Sequence, residues 1–199
     1  MATKSFTRPI IAAGVLIVGI GLAARTAVSG SSAAQAAGAG SVQFAASPDP
    51  LPKFTARSLD GQTVRSDQWR GKVTLVNFWA TWCSPCRAEI PDLLRLQTKY
   101  RDHLRIIGIS ADEGDVTPVK NFAAALRMDF PIVMLTPELD GLFGGVHGLP
   151  TTLLVDRDGR IVKRHMGAID AKTVELEVRV LAGLAPGVTI ERLAVPPPD

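Results

Sequence analysis

The feature that most restricts this chain is Cys83-Ser84-Pro85-Cys86, which stands just after the apolar run Val73 to Trp79, VTLVNFW. That run follows Arg70-Gly71-Lys72 and reads as a central strand buried on both faces. Beyond Cys86, the spacing of Ile90, Leu93, Leu94 and Leu96 predicts a helix from about Pro85 to Tyr100 with those residues on its inner side. The cysteine pair therefore falls where a buried strand passes into the first turn of a helix. Pro91 inside the helix predicts a kink, because proline removes a backbone donor.

Cys83 and Cys86 are the only cysteines in 199 residues. Two are too few for a disulfide scaffold, and with three scattered histidines they make no zinc finger or ribbon. A bridge over two residues closes a tiny loop and removes little entropy from the unfolded chain. It is better read as a bond meant to open and close than as a staple. The reactive form of cysteine is the thiolate. At a helix start, unpaired N–H groups and the positive end of the dipole favour that anion on Cys83. Cys86 lies one turn further in. The asymmetry predicts attack by Cys83 on a disulfide, then resolution of the mixed disulfide by Cys86. Pro85 suits the first turn, where its missing N–H leaves nothing unpaired. An inert disulfide and a metal-binding pair are the competing readings. Loop size argues against the first, and the lack of a second ligand pair against the other.

The N-terminus carries Lys4 and Arg8, then the apolar run Pro9 to Ala24, then Arg25. This order reads as an export signal with the remaining chain facing outward. The expected organisation is a signal anchor or signal peptide over 1–28, a flexible Ala/Gly/Ser linker over 29–50, a folded domain over 51–193 and a Pro-rich tail over 194–199. Ala34-Gln35-Ala36 resembles a cleavage site, but it lies far beyond the apolar run, which favours an uncleaved anchor. The formal charge of +3 arises in this leader. Lys4, Arg8 and Arg25 are its three basic residues, and no acidic residue precedes Asp49, so the rest is balanced. No nucleic-acid partner is expected of a neutral domain.

Along the domain, Asp60-Gly61 between Phe54–Leu59 and Gln62–Val64 reads as a β-hairpin. Strands are expected over 103–110, 130–135 and 151–155. A helix from Thr117 through Phe122, Leu126 and Met128 should separate the first two, and a Gly-rich loop over 141–148 should precede the third. Asp158-Gly159 turns into an antiparallel strand over 161–166, and a helix follows over 171–184. The pattern is a hairpin, then β-α-β-α-β, then β-β-α, which gives a parallel core with antiparallel strands added at its end.

Taken together, VNFWATWCSPCRAEIP and the downstream GLPTTLLVDRDGRI resemble the TlpA/ResA branch of the thioredoxin-like superfamily, over about Leu51 to Leu184. The resemblance implies an α/β, thioredoxin-like fold with a central mixed sheet, an N-terminal β-hairpin extension and an inserted strand–helix element. It implies an exported, often membrane-anchored monomer that keeps partner cysteines reduced and uses no bound cofactor. Partners would be exported proteins with cysteine pairs, such as apocytochrome c before haem attachment or copper-site proteins of cytochrome oxidase. A membrane electron donor would re-reduce the pair, since the outer compartment is oxidising. The resemblance also makes Pro150 a cis-proline facing the disulfide, with Leu149 offering backbone groups to an extended substrate; from the residues alone Pro150 reads equally as a plain strand-start proline.

Thioredoxin carries a buried Asp, a proton relay to the resolving cysteine, where this chain has Asn77. Glu89, three residues past Cys86, is the nearest carboxylate in sequence. It is either a replacement relay or an ordinary solvated helix residue. Trp82 offers an apolar surface for substrate, while Trp79 belongs to the core. His103, His147 and His165 read as solvent-facing or loop residues. A copper-handling protein using Cys83, Cys86 and His147 is the alternative function. A peroxidase is disfavoured, because Ala80 and Val76 occupy the positions where that chemistry needs Thr or Ser and Pro.

Overall fold

The computed structural model describes residues 40–194. The expected anchor over 1–28 and the tail from 195 lie outside them. The main sheet has six strands, parallel in one half and antiparallel in the other. At its centre β5 (Val73–Trp79) is buried at every position. It pairs in parallel with β6 (Leu104–Ser110) and antiparallel with β8 (Thr151–Val155). On one side β7 (Ile132–Met134) extends the parallel half. On the other β9 (Arg160–Met166) pairs antiparallel with β8, and β2 (Asp49–Pro50) covers one end of β9. The mixed sheet is therefore as expected, and β3 (Thr55–Arg57) with β4 (Thr63–Arg65) forms the expected hairpin.

Alternation along β5 divides the core between two faces. Leu75 and Trp79 pack with Ile90 and Leu93 of α1 (Ser84–Lys99) and with Val174 and Val178 of α4 (Ala171–Leu181). Val76 and Phe78 pack on the opposite face with Trp69, Leu139 and Phe143. Strand β6 carries Gly108 where the Trp79 indole crosses it. A Cβ there would lie 3.0 Å from Trp79 Nε1 and 3.1 Å from the Phe130 ring. The helix α1 continues as one element through Pro91, although the sequence predicts a kink. Pro91 and Arg87, whose carbonyl loses its partner, both lie on the exposed side, where that carbonyl is open to solvent.

Four expectations need correction. The linker over 29–50 is not flexible throughout, and the fold does not begin at Leu51. Ser41–Ala45 forms β1, which pairs in parallel with β10 (Thr189–Leu193) from Ser41↔Thr189 to Ala45↔Leu193. Val42 and Phe44 are buried in the core, so an alternating apolar pair overrides the small-residue composition. The last helix ends at Leu181 rather than Leu184, and β10 follows. Between Met134 and the Gly-rich segment a short helix α3 (Pro137–Leu142) replaces the start of the expected loop. Thr136 caps it by accepting from the Leu139 N–H, and Pro137 fits its first turn. The remaining helix, α2 (Thr117–Ala125), stops short of Met128, with Arg127 in the left-handed region.

Candidate active site

Strand β5 delivers the chain to the site. Four residues past its end, Cys83 occupies the N-cap of α1 in extended conformation, and its sulfur accepts from the Cys86 N–H at 3.3 Å. Cys83 and Cys86 form a disulfide, with Cα atoms 5.3 Å apart. When the bond opens, a Cys83 thiolate holds the position that a capping oxygen usually fills, at the positive end of the helix. Cys83 is 5% exposed and Cys86 is 0% exposed, so the two sulfurs differ in access as the sequence suggests. Asp112 braces the approach to Cys83: it accepts from the Thr81 N–H at 2.9 Å, from the Thr81 hydroxyl and from Ser110 Oγ. Sequence reasoning missed Asp112. Its only signal is its place just after the buried strand that neighbours β5.

A cleft of about 530 Å³ opens beside Cys83, lined by Trp82, Pro85, Ala111, Leu135, His147 and Leu149 among others. Trp82 is 68% exposed, unusual for an indole, and extends an apolar surface next to the reactive sulfur. The Leu149–Pro150 peptide is cis. Two hydrogen bonds fix this turn: Gly167 N–H donates to the Pro150 carbonyl and Thr151 Oγ1 donates to the Gly148 carbonyl, each at 2.8 Å. The structure thus brings Trp82, Cys83, Leu149 and His147 to one cleft, with Cys86 behind. Gly145 (φ +84°) makes room for His147, whose ring lies 3.0 Å from where a Cβ would stand. Among the described residues no group of three or more His, Cys, Asp or Glu side chains is placed to hold a metal ion.

Glu89 is not the solvated residue that its sequence position permits. It is 3% exposed, on the inner face of α1 one turn beyond Cys86. Its Oε1 accepts from Asn77 Nδ2 at 2.8 Å and its Oε2 from the Ile169 N–H at 2.9 Å. Burial pushes its carboxyl above the ordinary range, opposed by the Ile169 N–H, the Asn77 amide and the charge of His165. Asn77 is itself fully buried and donates also to Thr152 Oγ1 at 2.9 Å, while its Oδ1 has no partner among the described residues. A buried carboxyl thus stands on the helix, and the amide of the strand residue Asn77 holds it.

His165 departs from the solvent-facing reading. Its Nε2 lies 2.8 Å from Glu177 Oε2, and Lys163 Nζ donates to the other oxygen of Glu177 at 2.5 Å. Glu177 is 1% exposed. The sequence did carry a signal: Glu177 sits within the apolar stripe of Val174 and Val178, where a carboxylate must be paired.

This arrangement, a disulfide capping a helix beside a cis-proline on a mixed sheet, defines a thioredoxin-fold thiol–disulfide oxidoreductase. Residues 48–164 match the AhpC/TSA family, and the chain belongs to that family. It is 36% identical over 118 residues to thiol-disulfide oxidoreductase ResA of Bacillus thuringiensis (strain Al Hakam), covering 58% of this chain and 67% of the relative. It is 33% identical over 126 residues to the thioredoxin-like protein YneN of Bacillus subtilis (strain 168), covering 62% and 74%. The crystal structure of a thiol:disulfide interchange protein of the thioredoxin family from Chlorobium tepidum TLS superposes with a TM-score of 0.65. That structure shares 33% identity over 69% of this chain and 98% of its own. The likeness read from the two motifs is therefore borne out, as is the protein-disulfide reductase activity.

Proposed function

We propose that this protein is held on the extracytoplasmic side of a membrane by residues 1–28 and reduces disulfides of exported partner proteins. Apocytochrome c and copper-site proteins of cytochrome oxidase are the partner types in view. The observation that carries the reading is Cys83 at the helix N-cap, opening onto a cleft lined by Trp82 and by Leu149, the residue before the cis-proline Pro150. The Cys83 thiolate attacks one sulfur of a substrate disulfide. That bond breaks, and the substrate's other sulfur leaves as a thiolate and takes a proton from solvent. Cys86 then gives its proton to Glu89, and its thiolate attacks Cys83 Sγ. The mixed disulfide breaks, the second substrate sulfur leaves with the electron pair, and the Cys83–Cys86 bond forms. Two electrons have passed to the substrate, and a membrane dithiol donor returns them. The unpartnered Oδ1 of Asn77 serves the protonated form of Glu89, since the amide turned over accepts from the new O–H.

The test is to express full-length Cys86→Ser in cells and identify the proteins joined to it through Cys83. Exported proteins with cysteine pairs should be trapped, and Cys83→Ser should trap none. Adducts confined to cytoplasmic proteins, or none at all, would overturn the proposal.

A further inference from the structure

Between β5, β8 and β9 on one side and α1 and α4 on the other lies a row of polar side chains that the two-cysteine cycle leaves unused. Strand register sets Asn77 opposite Thr152 and Thr152 opposite His165. Side chains opposite one another stand on the same face, about 5 Å apart. The row begins at Glu89, bonded to Asn77, which is bonded to Thr152. It ends at Glu177, bonded to both His165 and Lys163. A carboxylate as deeply buried as Glu177 is costly unless paired. Its two partners come from alternate positions of β9, so the helix-borne acid fixes the imidazole of His165 next to Thr152.

Resting on the reading of Glu89 as the base for Cys86, we propose that His165 is a positioning residue for resolution. Clamped by Glu177, it places the charge of its imidazole at the far end of the row from Glu89 and so governs how readily Glu89 takes the Cys86 proton. The charged groups at His165 are Glu177 from α4 and Lys163 from its own strand; Thr152 of β8 and Asn77 of β5, both neutral, stand between it and Glu89 of α1. The charge of His165 already acts on the Glu89 carboxyl in the direction required, against the effect of burial. His165 makes and breaks no bond in the step: the proton passes from Cys86 to Glu89 and the electron pair from Cys86 to Cys83.

The test uses the full chain in detergent, loaded at Cys83 with a chromogenic aromatic thiol, and follows its release by Cys86 after a pH jump. In His165→Gln the acid limb of the release rate should move up by about 0.5 to 1 pH unit. The plateau at high pH should stay within about threefold. His165→Lys keeps the charge and should hold the limb at or below its normal position, which separates charge from packing. The ¹³C resonance of the Glu89 carboxyl should titrate with the same displacement. In a Glu89→Gln background, His165→Gln should shift nothing. An unmoved limb and carboxyl titration in His165→Gln overturn the proposal, as does an equal shift without Glu89. Normal release in Glu89→Gln alone instead removes Glu89 as the base, while the carboxyl titration still reports whether His165 acts on it.

Discussion

Replacing Glu89 with Gln is the most informative single change. Gln keeps the volume, and its Oε1 can still accept from the Ile169 N–H at the place of Oε2. Its Nε2 then meets Asn77, whose unpartnered Oδ1 can turn to accept. The fold therefore loses little, and the change removes one thing: a titratable oxygen one turn beyond Cys86. A positioned general base is worth about 10²- to 10⁴-fold. Solvent can replace part of that as the site opens for substrate, so the lower end applies. Resolution near neutral pH should slow about 100-fold, equivalent to about 2.7 kcal/mol of barrier. The first attack by Cys83 should change by less than about threefold, since its thiolate is held by the helix start and the Cys86 N–H. Rapid mixing separates the steps: attack is followed in a Cys86→Ser background and release from a preformed mixed disulfide. The pH profile adds a second criterion. Burial raises the Glu89 carboxyl, so wild-type resolution should fall as pH drops through a value above the ordinary carboxylate range. Glu89→Gln should lack that limb. Release rates within threefold of wild type from about pH 5 to 9 would refute the reasoning.

Three further outcomes are expected. Gly108→Ala pushes a methyl to within 3.0 Å of the Trp79 indole and 3.1 Å of the Phe130 ring, and should cost about 1–3 kcal/mol in urea unfolding; an unchanged midpoint would contradict the packing described. Removing residues 1–36 should leave a folded, active reductase, whereas removing 1–46 also strips Val42 and Phe44 from the core and should lower the thermal midpoint by 10 °C or more, on the scale of about 3–5 kcal/mol for a buried Phe. Because the folded state holds the Glu89 proton to higher pH than the unfolded chain, that stabilisation is complete below about pH 4.3 and is lost as pH rises through the raised folded value. Oxidised Glu89→Gln should accordingly gain stability relative to wild type as pH rises across that interval, and a constant difference in urea unfolding would contradict the burial of the carboxyl.

How far the sequence disclosed this arrangement depends on the kind of signal. The run Val73 to Trp79 is apolar enough to declare a strand covered on both faces, and the cysteine spacing locates the helix start. Residues close in the chain, such as Trp82 and Cys83, were therefore legible. Glu89 was half legible: spacing puts it one turn past Cys86, but only the packing of Asn77 and Ile169 shows that it points inward. His165 and Glu177 were missed because their pairing depends on which face of β9 meets α4. The strand β1 was hidden by its Ala/Gly/Ser neighbourhood and by a partner, β10, almost 150 residues away. Pairing at that separation leaves no local trace beyond the alternation of Val42 and Phe44.

The two sulfurs divide the labour: Cys83 attacks and Cys86 resolves. Alkylation of the fully reduced full-length protein at neutral pH, quenched over time and read by peptide mass spectrometry, measures this division. Cys83, at the helix N-cap and on the cleft, should be modified at least about tenfold faster than the enclosed Cys86, and faster than the unfolded chain at the same pH. Equal rates, or faster labelling of Cys86, would contradict the assignment of Cys83 as the nucleophile.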